Sequence, residues 1–364
     1  MRAYSNQWCV RRPRIPSTIR ASDFRFTYDV RRMRRCCLPC LLLLLATGCA
    51  SSSRRDTADG LPAPVRTQLD PWSFEGKSGH KITTPHYVIY TTMSDEEVVA
   101  GIGQLMEGAL SQYRRLAPDV PPSGQPMACY LFQTRSEWAA FTRTRTGADA
   151  AIYLQINRGG YTVHDWYVAY FIGDVGTYSV AAHEGFHQYV ARHFRSRLPP
   201  FLEEGLACMF EEVRWESAGR GGWLPRWQFA ANRSRVVGLR NALEGGYLIP
   251  LAQLASMHAG QVVDQPPQKI EAFYAQSWAF ARFLWEADGG RHRGTLRRIL
   301  NDAAAGALFP GRSTRRTEDG LWDPESARPM LEHYLGADVE KIDVAFRRFV
   351  HKLAAENYQF AEVK

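Results

Sequence analysis

The sequence predicts an α+β fold, a mixed β-sheet lobe followed by a mainly helical C-terminal lobe. Short alternating apolar runs interleaved with amphipathic stretches fill residues 86–174. Beyond about residue 215 the apolar spacing is almost entirely helical. About 290 residues follow a polar, proline-punctuated segment, enough for one large domain or two closely packed lobes.

Taken in order, "HYVIYTT" (86–92) alternates as a strand. "SDEEVVAGIGQLMEGALSQYRRL" (94–116) reads as an amphipathic helix with Ser94 and Glu97 as its capping box. "MACYLFQT" is the next strand, "RSEWAAFTRT" a helix, and "AIYLQIN" (151–157) a third strand. "RGGYTVHDWYVAYFIGD" (158–174) predicts a glycine-interrupted strand or hairpin. A helix over 181–194 follows, its start capped by Thr177 or Ser179, and Pro199 and Pro200 force a reversal into a second helix near Phe201. "GRGGWLPRWQF" reads as a loop, and helices are expected near 271–287, 292–304, 326–335 and 338–356.

The helix over 181–194 carries chemistry. His183 and His187 are four apart, so both imidazoles share one face and can point at one ion. Glu184 lies about 100° round the helix, beside such an ion, where it can take a proton from the attacking water. A hydrolytic zinc needs a third protein ligand and an open position. The next helix opens "FLEEGLA" and offers Glu203 and Glu204. Gly185 costs about 1 kcal/mol of helix propensity, which suggests that something packs closely there.

His-Glu-x-x-His followed by Glu-Gly-Leu-Ala resembles the gluzincin (peptidase MA-like) metallopeptidases, and is most similar to their bacterial secreted relatives. "TPHYVIYTTMSDEEV", "YAQSWAFARFLWE" and "DVAFRRFVHKL" are also similar to that group, so the likeness spans about residues 80–355. The resemblance implies a zincin-like fold, a Zn2+ cofactor held by His183, His187 and Glu204, Glu184 as base, and a peptide or protein substrate. It also implies an edge strand near the metal on which an extended substrate pairs, for which 158–172 is the candidate. Related enzymes stabilise the oxyanion with a Tyr or His from a later helix, and Tyr274 in "FYAQSW" occupies that region. His258, His292 and His333 are weaker candidates for that role, and His193 is expected near the solvent end of the helix. Glu203, adjacent to the selected carboxylate, is expected on another face with little effect. Trp223, Trp227, Tyr161 and Trp166 are candidates for a cleft lining, although aromatics more often fill cores. Two alternatives stay open: a non-catalytic envelope lipoprotein that keeps the fold, and a zinc amidohydrolase of cell-wall peptides.

The net charge of +8 belongs to one end. Residues 1–48 hold ten Arg against two Asp, leaving 35 basic and 35 acidic residues afterwards, so nucleic-acid binding is excluded. "MRRCCLPCLLLLLATGCA", beginning at Met33, reads as a signal peptide (33–48), and residues 1–32 as the product of a start assigned too early. "ATGC" resembles a bacterial lipobox, which makes Cys49 the lipidated mature N-terminus and places the protein at the cell envelope, outside the cytoplasm, anchored to the membrane by lipid. A flexible tether is expected over 49–75, a sheet and active-site region over 76–215, and a helical lobe over 216–360. Cys129 and Cys208 are expected as buried thiols, Cys208 on the metal-facing side of its helix.

Overall fold

The computed structural model describes residues 65–122, 124–156, 159–219, 222–228, 232–262, 265–309 and 323–355, all within one compact unit, residues 58–364. The leader, Met33, Cys49 and the tether up to residue 64 lie outside the described residues. The architecture is α+β with a mixed sheet.

The N-terminal half runs β1 (Gln68–Phe74), β2 (Lys77–Thr83), β3 (Tyr87–Thr91), α1 (Glu96–Leu116), β4 (Met127–Phe132), α2 (Arg135–Thr146), α3 (Ala150–Tyr153), β5 (Gly160–Val163), β6 (Trp166–Tyr170) and α4 (Asp174–His193). Next come α5 (Pro200–Cys208), the hairpin β7 (Val213–Gly219) and β8 (Gly222–Trp227), and the helices α6 (Arg233–Glu244), α7 (Leu251–Ser256), α8 (Ala259–Val262) and α9 (Pro267–Gly290). The last helices are α10 (Arg293–Ala305), α11 (Ala327–Leu335) and α12 (Val339–Ala355). Among the described residues no helix is long and apolar enough to cross a membrane.

Six strands pair in the order β1-β2-β3-β4-β6-β5. β3, β4 and β6 are parallel, and β1, β2 and β5 pair antiparallel with their neighbours. The period of two sorts the side chains between two cores. Tyr87, Ile89, Cys129, Leu131 and Tyr167 face α1 and α4, while Phe132, Val168 and Tyr170 face α2 with Trp138 and Phe141. The first cluster continues without a break into the C-terminal helices, through Phe273, Trp278, Phe280 and Phe283 of α9 to Leu353 of α12.

Several sequence expectations are corrected. β1 falls within the stretch read as tether. Residues 150–153 form a short helix rather than a third strand, because the sheet position beside β4 is taken by β6. A short apolar run fits either period, and here the neighbouring strand decides. "GRGGWLPRWQF" supplies the last residue of β7 and all of β8 instead of a loop. The α1 cap is Asp95, whose side chain accepts from Val98 N, whereas Ser94 binds Gln133 Oε1 across the sheet. α4 starts at Asp174, and Thr177 Oγ1 accepts from Ile172 N instead of capping the helix.

Candidate metal centre

α4 packs on α1 so closely that Gly185 has no room for a side chain. A Cβ there would stand 2.8 Å from both Met106 Cε and the Tyr113 hydroxyl, which itself donates to Ala182 O at 2.5 Å. Gln188, fully buried, donates to Ala128 O and Asp165 O and so fixes α4 to β4 and to the β5–β6 turn. Together these contacts set the rotation of α4 and aim His183 and His187 away from the sheet, towards α5.

α5 brings the third group. Its Gly205 packs backbone to backbone on α9, where a Cβ would lie 2.1 Å from Ser277 O. Glu204 Oε2 stands 3.2 Å from His183 Nε2 and 3.5 Å from His187 Nε2, and the two Nε2 atoms are 3.2 Å apart. Donor bonds of about 2.0–2.2 Å in tetrahedral geometry separate ligand atoms by about 3.3–3.6 Å, so the triangle has the size of a metal site. Glu204 Oε2 is buried and makes no hydrogen bond despite this proximity. His183, His187 and Glu204 are therefore positioned to bind a metal ion.

The opposite ring nitrogens are also occupied. His183 Nδ1 faces Glu211 Oε1 at 3.0 Å, and His187 Nδ1 faces Glu203 Oε1 at 2.9 Å. A carboxylate on Nδ1 fixes the tautomer and presents the Nε2 lone pair to the ion. The expectation for Glu203 is thus corrected: it lies outside the triangle but is part of the site, because it faces the far nitrogen of His187. Glu211 went unnoticed in the sequence, as did Arg235, whose Nε donates to Glu211 Oε2 at 2.9 Å, and Asn232, which donates to the same oxygen at 2.8 Å. Cys208 lies beside His183 and Glu211, buried and free, its thiol pushed up to about 11 by burial.

The electrostatics call for a cation. Four carboxyl groups, Glu184, Glu203, Glu204 and Glu211, gather around the two imidazoles, and the one guanidinium present, Arg235, pairs with Glu211. Burial opposes charge on His187, but Glu204 and Glu203 outweigh it and raise its pKa to about 10. At His183 burial is outweighed by Cys208, Glu204 and Glu211. The two rings in turn overcome burial at Glu204 and hold its carboxyl well below the usual range.

Glu184 behaves differently. It is buried, which raises its pKa, with the two histidines opposing. Its Oε2 accepts from Thr162 Oγ1 at 2.8 Å, and the same hydroxyl lies 3.0 Å from the Glu184 carbonyl. Thr162 sits on β5, an edge strand of the sheet that packs on α4. Sequence reasoning singled out this strand but not this residue.

Tyr274 is partly buried against the core under α6, with the Arg235 guanidinium 5.1 Å from its ring centre. Burial, then the Glu204 carboxylate, push its phenol well up, so it keeps its proton. The remaining candidates do not converge here. Tyr161 and Trp166 belong to the core on the opposite sheet face, Trp223 is half exposed, and Trp227 donates to Phe210 O. His292 lies tilted against Phe283, His333 stacks on Phe309, and His193 packs on Tyr189 at the end of α4. Compared with protein-family models and with curated proteins, the chain finds no match.

Proposed function

We propose that this chain is a zinc-dependent peptidase of gluzincin type with a zincin-like fold, acting at the bacterial cell envelope and anchored there by lipid at Cys49. The observation that carries the reading is the triangle of His183 Nε2, His187 Nε2 and Glu204 Oε2, with a buried carboxylate oxygen lacking any hydrogen bond at its apex. Two imidazoles and one carboxylate, each buttressed at Nδ1 or by burial, form the donor set of a catalytic rather than a structural zinc. Zinc held there supplies Lewis acidity, polarising the scissile carbonyl and acidifying the attacking water.

The chain's own groups do the rest. Glu184, one oxygen fixed by Thr162, takes the water's proton on the other and passes it to the leaving amine. Its burial raises its proton affinity towards the value such a shuttle needs. Tyr274, kept protonated beside Glu204, donates to the carbonyl oxygen as negative charge builds. β5 has one side unpaired among the described residues, and an extended peptide pairs there through main-chain hydrogen bonds. Main-chain pairing tolerates many sequences, which suits a peptide substrate.

The test is cleavage of a mixed peptide library by the purified protein before and after dialysis against a chelator. Cleavage that stops on dialysis and returns with added zinc supports the reading. Zinc binding with no cleavage of any peptide would instead leave a metal-binding envelope protein.

A further inference from the structure

We propose that Arg235 is a positioning residue that holds His183 and Tyr274 in register through one guanidinium. The Tyr274 half rests on the peptidase reading, whereas the His183 half concerns metal binding alone. α6 is seated by two devices. Asn232 accepts from Arg235 N at 3.2 Å, and its amide donates to Cys208 O at 2.9 Å, tying the first turn of α6 to the end of α5. One turn on, Gly238 lies against α9, where a Cβ would meet Glu271 Cγ at 2.7 Å and Ala275 Cβ at 3.3 Å. Those two residues flank Tyr274, so the contact that seats α6 also lays Arg235 over the Tyr274 ring.

From that position the guanidinium reaches two ways. Its Nε and one terminal nitrogen grip both oxygens of Glu211, at 2.9 Å and 2.5 Å. Glu211 Oε1 in turn faces His183 Nδ1 at 3.0 Å, so the fork fixes the plane of the carboxylate that aims the ring. Its charge lies over the Tyr274 ring, with 5.1 Å between the guanidinium carbon and the ring centre. A lysine ammonium would neutralise Glu211 but could neither hold both oxygens in one plane nor stack. The fork on Glu211 requires an arginine.

The experiment compares the full chain with Arg235→Lys, which keeps the charge and removes the planar fork. Zinc affinity is measured by competition with a chromophoric chelator, folding by circular dichroism and thermal melting, and ring placement by the visible spectrum of the cobalt-loaded protein. The expected result is a folded variant that binds zinc about 10-fold to 100-fold more weakly with an altered cobalt spectrum. In the turnover assay at saturating zinc, Arg235→Lys should slow Tyr274→Phe by a smaller factor than it slows wild type, because the share that acts through Tyr274 is already lost. Wild-type zinc affinity and cobalt spectrum in Arg235→Lys would overturn the proposal, since charge alone would then suffice. Loss of folding in Arg235→Lys would also overturn it, because the residue would then hold α6 in place rather than aim His183. If the wild-type chain bound no zinc, the metallopeptidase reading would fall and this proposal with it. Zinc binding without turnover would remove only the Tyr274 half.

Discussion

Gly205→Ala puts two physical effects in direct opposition. Helix propensity alone favours alanine by about 1 kcal/mol, so an exposed site would gain stability. At this position the new Cβ would stand 2.1 Å from Ser277 O and 2.6 Å from the Ser277 carbonyl carbon. A carbon and a carbonyl oxygen approach no closer than about 3.3 Å, so α5 and α9 must part by roughly 1.2 Å. Both contacting atoms are main chain, so no side-chain rotation relieves the clash. Overpacking of this kind costs about 1–3 kcal/mol, which outweighs the propensity gain. The functional loss is larger, because α5 carries Glu204 and α9 carries Tyr274, one turn before Ser277. A displacement of about 1 Å between catalytic groups can cost about 10²-fold in rate. The assays are thermal melting, zinc affinity and kcat on one cleaved peptide. Melting should fall by a few degrees, zinc should bind more weakly, and kcat should drop about 10²-fold. A variant that melts higher than wild type and binds zinc normally would refute the argument that glycine is required by the α5–α9 contact.

Three further outcomes follow from the site. Glu203→Ala, which frees His187 Nδ1, should weaken zinc about 10-fold to 100-fold, as equilibrium dialysis would measure; an unchanged affinity would return Glu203 to the surface role expected from the sequence. Tyr274→Phe should lower kcat by about 10²-fold with zinc content and melting unchanged, and a lower melting temperature at normal kcat would favour a packing role. Cys49→Ser should release the protein from membranes during a salt wash or leave it unprocessed, and mature protein with Met1 at its N-terminus would contradict lipid anchoring.

Which parts of this were legible in the sequence follows from range. His183, Glu184 and His187 share one helix, and the helical period alone places two on one face and the third beside them. Pro199 and Pro200 mark a reversal that returns both Glu203 and Glu204 to the same place, and only the resemblance of Glu-Gly-Leu-Ala to a known family selected Glu204 between them. Gly185 was read as a sign of close packing, and Met106 and Tyr113 supply it. Arg235 and Thr162 escaped because each meets its site partner only through the tertiary fold, 24 residues from Glu211 and 22 from Glu184. Glu203 was misjudged for a different reason. Adjacent helical residues do point about 100° apart, but an imidazole offers nitrogens on two sides, so both neighbours can serve one ring. The fold's errors are of the same kind: the short run at 150–153 and the β7–β8 hairpin have local patterns that pairing partners decide.

One paired measurement separates the proposed metal ligands His183, His187 and Glu204 from the proposed proton shuttle at Glu184. Zinc content and peptide cleavage are determined on wild type, Glu204→Ala and Glu184→Gln, prepared identically. Wild type should carry one zinc per chain and cleave peptides, and Glu204→Ala should hold little zinc and cleave little. Glu184→Gln should retain zinc without cleavage, because an amide cannot accept the water's proton. Full zinc in Glu204→Ala, or full cleavage by Glu184→Gln, would contradict these assignments.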